Sequence, residues 1–145
     1  MSDVSIVIPF RNREQHLRVL LDNLKRVLPD TVEYMIIEQH GQCKFNRGAL
    51  LNVGFNISTR PRIIFHDVDL VPSADLASQY IQKWPSSVIH FGCRFSRYNN
   101  TKSYFGGVVG FERAHFPGYS NRYFGWGGED DSLYKRVVAM GLDIS

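Results

Sequence analysis

The sequence predicts a single α/β domain built on a mostly parallel central sheet, and three observations carry that expectation. Short β-branched or aromatic runs alternate with longer segments of helical periodicity, the pattern of βαβ units. The 145 residues are 43% hydrophobic, a single-domain size with apolar material for one core. Polar loops follow the first and third strand-like runs, at the carboxyl ends where such sheets bind ligands.

Each element has its own reason. Residues 4–8 form a β-branched run ended by Pro9. Leu17, Leu20, Leu21, Leu24 and Leu28 then keep helical spacing until Pro29 stops them. Residues 32–37 read as a second buried strand. A polar loop around Gly41 leads into Ala49, Leu50 and Val53, a short helix. Residues 63–65 give a third strand, 74–83 a helix, 88–91 an extended segment and 104–111 a glycine-containing strand. Leu133, Val137 and Met140 recur at helical spacing with Gly141 as the stop, and 142–145 begin another strand. Repeats, low-complexity tracts and linkers are absent.

The formal charge is +3 with a pI near 9.0. Arg11, Arg13, Arg47, Arg94 and Arg97 are scattered among aromatics, which suits a small phosphate-bearing ligand; without a dense basic stripe or reading motif, nucleic acid is excluded as a partner. Cys43 and Cys93 sit in no C-x-x-C pattern and read as buried free thiols. His40, His66, His90 and His115 show no i, i+4 pairing, so a histidine metal site is unsupported and they read as surface or satisfied core residues. With no signal-peptide pattern and no membrane segment, the chain is expected to be cytoplasmic. The acceptor-like tripeptides at Asn56 and Asn99 then read as chance matches. A free sheet edge after Leu142 offers a route to a homo-oligomer.

The densest chemistry lies in Gly125-Trp-Gly-Gly-Glu-Asp-Asp131, three carboxylates between a glycine-rich loop and a helix start. Acids favour a first helical turn by about 0.3 to 1 kcal/mol, so capping alone accounts for Glu129 and Asp130 nearly as well as catalysis does. Asp67 and Asp69 follow an apolar strand; in an extended chain residues two apart share a side, so the two carboxylates converge and suit Mg²⁺ or Mn²⁺. A solvated loop is the competing reading. Arg11 and Arg13 follow the first strand, where a guanidinium fork grips phosphate or a base edge. Phe45-Asn46-Arg47-Gly48 opens the second helix with an aromatic and a cation suited to a nucleoside, although for the segment taken alone Phe45 in the core and Arg47 at the surface is the stronger explanation. Tyr104-Phe105-Gly106-Gly107 puts glycine in a strand, a mark of close approach by a ligand or of plain packing.

Together these blocks resemble the β1,4-galactosyltransferase family, glycosyltransferase family seven, which includes N-acetylgalactosaminyltransferase and chondroitin-synthase modules. Residues 7–13, 45–55, 67–70, 104–107 and 125–131 occur in the family's order with similar spacing. The resemblance implies a Rossmann-like GT-A fold, C-terminally abbreviated, in one domain over 1–145. It implies a UDP-sugar donor, a saccharide acceptor, Mn²⁺ with Mg²⁺ as substitute, and inversion at the anomeric carbon. It assigns Pro9, Phe10, Arg11, Arg13, Phe45 and Arg47 to uridine and phosphates, Asp67 with Val68 to the ribose side, and Asp69 to the metal. Arg94 stands where the family often has a phosphate-contacting lysine, and Trp126 touches the diphosphate. Gly107, Gly128, Glu129 and Asp131 surround donor sugar and acceptor, with Asp130 as general base. Tyr104 occupies a position where tyrosine goes with galactose donors. In the family further metal ligands, a histidine among them, lie beyond the last helix, past Ser145 of this chain. The expected activity is therefore transfer of galactose, or of a related hexose or N-acetylhexosamine, with a nucleotide-sugar-binding module of little turnover as the alternative. A metal-dependent phosphodiesterase is the weakest reading, for want of a second metal cluster or a histidine base.

Overall fold

The computed structural model describes residues 2–95, 105–125 and 127–145. Five strands form one sheet: β1 (Val4–Phe10), β2 (Glu33–Glu38), β3 (Arg62–His66), β4 (Val88–His90) and β5 (Val108–Glu112), in the order β2-β1-β3-β5-β4. β2 and β3 flank β1 in parallel, whereas β5 runs antiparallel to both β3 and β4. Four strands therefore share a direction and one is reversed.

Alternation along the central strands divides the core in two, as the strand period of two requires. Val4, Ile6, Ile8 and Phe10 face one side, where Leu20 and Leu24 of α1 (Glu14–Val27) and Leu76 and Ala77 of α3 (Ala74–Gln79) cover them. Val7, Ile63, Phe65, Val109 and Phe111 face the other, under Leu51 of α2 (Arg47–Ile57) and Leu133 and Val137 of α4 (Glu129–Ala139).

Several boundaries differ from the sequence expectation for physical reasons. β1 continues through Pro9 to Phe10, because β3 pairing ends at Val7 and only β2 remains alongside. α3 stops at Gln79 instead of running to 83. The predicted strand over 104–111 begins at Val108, and its first predicted residue, Tyr104, lies outside the described residues. The terminal strand is a single parallel bridge, Val88 with Ile144. Cys43 is exposed, against expectation, because the 39–46 loop turns it outward; Cys93 is buried. Among the described residues no helix is long and apolar enough to cross a membrane, which bears on spans and not on compartment.

The topology places the site. β1 sends its helix toward β2 while β3 lies on its other side, so the loops after β1 and β3 open a crevice at their carboxyl ends. Reversal of β5 brings its start to that same rim: Val108 sits opposite His66, and the Gly107 carbonyl accepts from the Asp67 amide at 2.8 Å.

Candidate active site

A cavity of about 720 Å³ occupies this crevice, lined by the loop after β1, the turn after β3, Phe45 and Arg47 at the entry to α2, and residues 125 and 127–131 at the start of α4. Its volume lies in the range of ligand pockets. Local sequence explains each wall. Asn12 takes a φ of 55°, a left-handed conformation that asparagine tolerates, and so turns the chain sharply between Arg11 and Arg13. Asn46 caps α2, its side chain accepting from the Ala49 amide at 3.0 Å. Gly128 starts α4 with φ 96°, and a Cβ there would strike the Tyr123 ring.

At the back of the cavity Arg47 is buried, not superficial, with 8% of its surface exposed. Its Nε donates to Asp67 Oδ1 at 2.7 Å and its Nη1 to Asp130 Oδ1 at 2.8 Å, with Glu129 Oε1 at 3.7 Å. Its Nη2 is buried without a hydrogen-bond partner among the described residues. The guanidinium carbon lies 5.7 Å from the centroid of the Tyr119 ring. Burial, opposed by Arg47 and reinforced by Glu129 and Asp67, pushes the Asp130 carboxyl up to about 6. Glu129 and Asp130 thus lie beside a cation, whereas Asp131 is exposed, and the N-cap residue Gly128 carries no side-chain cap.

The turn carrying Asp67 and Asp69 is braced from below. β3 ends at His66, so the two acids occupy a turn and not the extended chain expected for them, yet both line the cavity. His66 is fully buried; its Nδ1 lies 2.7 Å from the Asp67 carbonyl oxygen and its Nε2 2.9 Å from the Tyr80 hydroxyl. A carbonyl only accepts, so Nδ1 carries the proton and Nε2 accepts from Tyr80. Burial drives His66 down to about 4, keeping the ring neutral.

Two loops meet on the opposite wall. Arg11 donates to the Cys43 carbonyl at 2.6 Å, with its guanidinium 5.8 Å from the centroid of Phe45. The Phe45 carbonyl accepts from the Gly125 amide at 2.7 Å. Asn52 of α2 grips Tyr119 at both backbone atoms, 2.8 Å each way.

The structure therefore gathers Pro9, Phe10, Arg11, Arg13, Phe45, Arg47, Asp67, Val68, Asp69, Gly128, Glu129, Asp130 and Asp131 around one cavity. Gly107 sits behind Asp67 and does not line it. Arg94 is also off the lining: it donates to Gln79 Oε1 at 2.6 Å beside the Phe91 ring. Tyr104 and Trp126 lie outside the described residues. Sequence reasoning missed Asn12, whose place between two arginines at a strand end was the available signal. It also missed Tyr119 and Asn52, which carry no local signal.

Five carboxylates and three guanidinium groups line the cavity. An added diphosphate would deepen that excess of negative charge, so the donor set fits a divalent cation. Among the described residues no three His, Cys, Asp or Glu cluster as a ligand set. One carboxylate with phosphate oxygens and water is a coordination Mg²⁺ accepts.

Comparison with known proteins agrees with this geometry. Residues 1–81 match the family model described as the N-terminal region of glycosyl transferase group 7, and residues 88–145 the model described as the N-terminal domain of galactosyltransferase. β-1,4-Galactosyltransferase 2 of Cricetulus griseus is 40% identical over 98% of this chain and 42% of its own length. The human β-1,4-galactosyltransferase 4 is 41% identical over 98% of this chain and 44% of its own length. The chain thus spans less than half the length of these relatives. The catalytic domain of Drosophila β1,4-galactosyltransferase 7, solved in complex with xylobiose, superposes with a TM-score of 0.83 at 31% identity, over 98% of this chain and 63% of that one. A mannosyltransferase from Pyrobaculum calidifontis, at 14% identity and a TM-score of 0.67 over 99% of this chain and 54% of that one, shares the architecture alone. That architecture is the GT-A fold.

Proposed function

Because this chain belongs to glycosyl transferase group 7, we propose that it transfers galactose from a UDP-sugar to a sugar hydroxyl with inversion, as one GT-A domain. The observation that carries the reading is the single cavity in which Arg47 joins Asp67 at one end to Asp130 at the other. Support for the donor comes from the Drosophila relative, one form of which was solved with manganese, UDP-Gal and xylobiose.

In this reading Phe45 stacks on the uracil and Pro9, Phe10 and Val68 wall the nucleoside, while Arg11 and Arg13 face the diphosphate. The family pattern assigns Asp69 to the divalent cation, and Asp67 is held by Arg47. When bound, that cation neutralises charge developing on the leaving diphosphate. Asp130 accepts the proton of the acceptor hydroxyl as its oxygen attacks the anomeric carbon; the bond to the diphosphate oxygen breaks and UDP departs. Attack opposite an α-linked diphosphate gives a β-glycoside. Gly128, Glu129 and Asp131 border the sugar side, with Tyr104 and Trp126 assigned there by the family pattern alone.

The test is transfer from UDP-galactose, with Mn²⁺, to glucosamine- or xylose-type acceptors, beside calorimetric titration of UDP-galactose with and without Mn²⁺. Galactosylated product that disappears in Asp130→Asn is the expected result. Donor binding without product would establish a binding module instead, and absence of both would overturn the reading.

A further inference from the structure

Resting on the assignment of Asp130 as base, we propose that Arg47 is a positioning residue for it, and that one guanidinium ties the donor-side carboxylate Asp67 and Asp130 into a single charge unit.

Geometry carries the argument. Arg47 uses two different nitrogens of its planar fork, Nε for Asp67 at 2.7 Å and Nη1 for Asp130 at 2.8 Å, so it fixes where the carboxylates stand relative to each other. An ammonium is a point charge and cannot do this for two partners on different elements. Nor can Arg47 readily swing aside. Its stem leaves the first turn of α2, its head lies beside the Tyr119 ring, and Tyr119 is held at both backbone atoms by Asn52 of the same helix. Among the described residues, the groups that act on Asp130 come from each element around it: Arg47 from α2, Asp67 from the turn after β3, Glu129 beside it on α4, and Tyr119 from the preceding loop. Without Arg47, three buried or half-buried acids would face one another uncompensated. Held through Oδ1, Asp130 keeps its second oxygen for a proton. Glu129, beyond hydrogen-bond reach of the guanidinium at 3.7 Å, lacks that hold.

The effect runs both ways. Charge removed at Asp67 gives Asp130 a larger share of Arg47 and one less repelling neighbour. Charge removed at Arg47 leaves Asp130 with repulsion alone.

The deciding experiment is a ¹³C-carboxyl NMR titration of Asp130 in the full chain, assigned with Asp130→Asn, in wild type, Arg47→Gln, Arg47→Lys and Asp67→Asn, with melting curves and pH profiles of kcat/KM alongside. Arg47→Gln should raise the Asp130 titration point by roughly one to three pH units and move the acid limb of the rate profile with it. Asp67→Asn should lower it. Arg47→Lys should bring the titration back toward wild type while kcat stays low, since charge returns without the fork. Titration unmoved in Arg47→Gln, with the whole loss in the KM for donor, would overturn the proposal, as would full recovery of kcat in Arg47→Lys. If the Arg47 variants do not fold, Asp67→Asn decides alone, because it leaves the guanidinium in place: an unmoved Asp130 overturns the proposal. A wild-type chain without transferase activity would refute the galactosyltransferase reading, while the carboxyl titration still decides the coupling.

Discussion

Asp130 faces opposed demands from folding and from chemistry. Burial raises it from its ordinary 3.8 to about 6, so the folded state prefers it protonated while the proposed reaction needs it ionised. For a group raised on folding, the stabilisation is full below the unfolded value and is lost as pH climbs through the folded one. Asp130 thus removes on the order of 3 kcal/mol between pH 3.8 and about 6. His66 slopes the other way. Depressed from 6.5 to about 4, it contributes stability above 6.5 that is lost as pH falls toward 4. The two largely cancel in the wild-type chain. Asp130→Asn should therefore melt higher than wild type at pH 7 and show stability rising with pH over this window, while losing about 10²- to 10⁴-fold in rate. Melts from pH 4 to 8 that run parallel to wild type would contradict this. Tyr80→Phe strips the hydroxyl from His66 Nε2 and leaves a buried acceptor unmet. The expected cost is about 1 to 3 kcal/mol, read by denaturant unfolding.

At the scale of elements, α2 binds the sheet to the site. Its Gly54 lies against Val7 of the central strand, where a Cβ would collide with the valine side chain. Gly54→Ala should cost about 1 to 3 kcal/mol through overpacking, measured by chemical denaturation, and should shift Arg47 with the helix. A cost near zero would show that α2 can lift freely. The sequence made much of this element readable, because Asn46, Arg47 and Gly48 announce a capped helix start locally. The burial of Arg47 was not readable. Its partners stand 20 and 83 residues away, and a basic residue in a polar loop ordinarily faces water. The D-x-D turn misled in a different way: alternation along β3 suggested continued extension, but no periodicity marks where a strand yields to a turn. For α4 the acids were legible as a cluster. That Glu129 and Asp130 stand beside Arg47 while Asp131 faces outward was a tertiary decision.

Across the whole molecule, the α/β class followed from alternation of strand and helix patterns, and the site from loops on one rim. The reversed β5 did not follow, since a strand pattern reads alike in either direction and connection handedness is silent once a helix is missing between strands. The 3.8 Å reach of each trans peptide and the order of segments in sequence leave both pairings open. The charge balance of the cavity also emerges only at this scale, where acids from β3 and α4 meet arginines from the first loop and α2. UDP affinity should consequently fall when Mn²⁺ is chelated, and calorimetry with and without chelator reads that change.

Reversal of β5 also bears on the order of assembly. β4 precedes β5 in the chain yet reaches the sheet only through it, so it can join only with or after β5, over long sequence separations. β1, β2 and β3, linked by short crossovers, need no such partner. The Asp67 amide, bonded to the Gly107 carbonyl across that seam, is a natural reporter. In hydrogen-exchange refolding it should gain protection after the amides between β1 and β2, so the parallel part of the sheet would form before the rim that carries Asp67 is fastened.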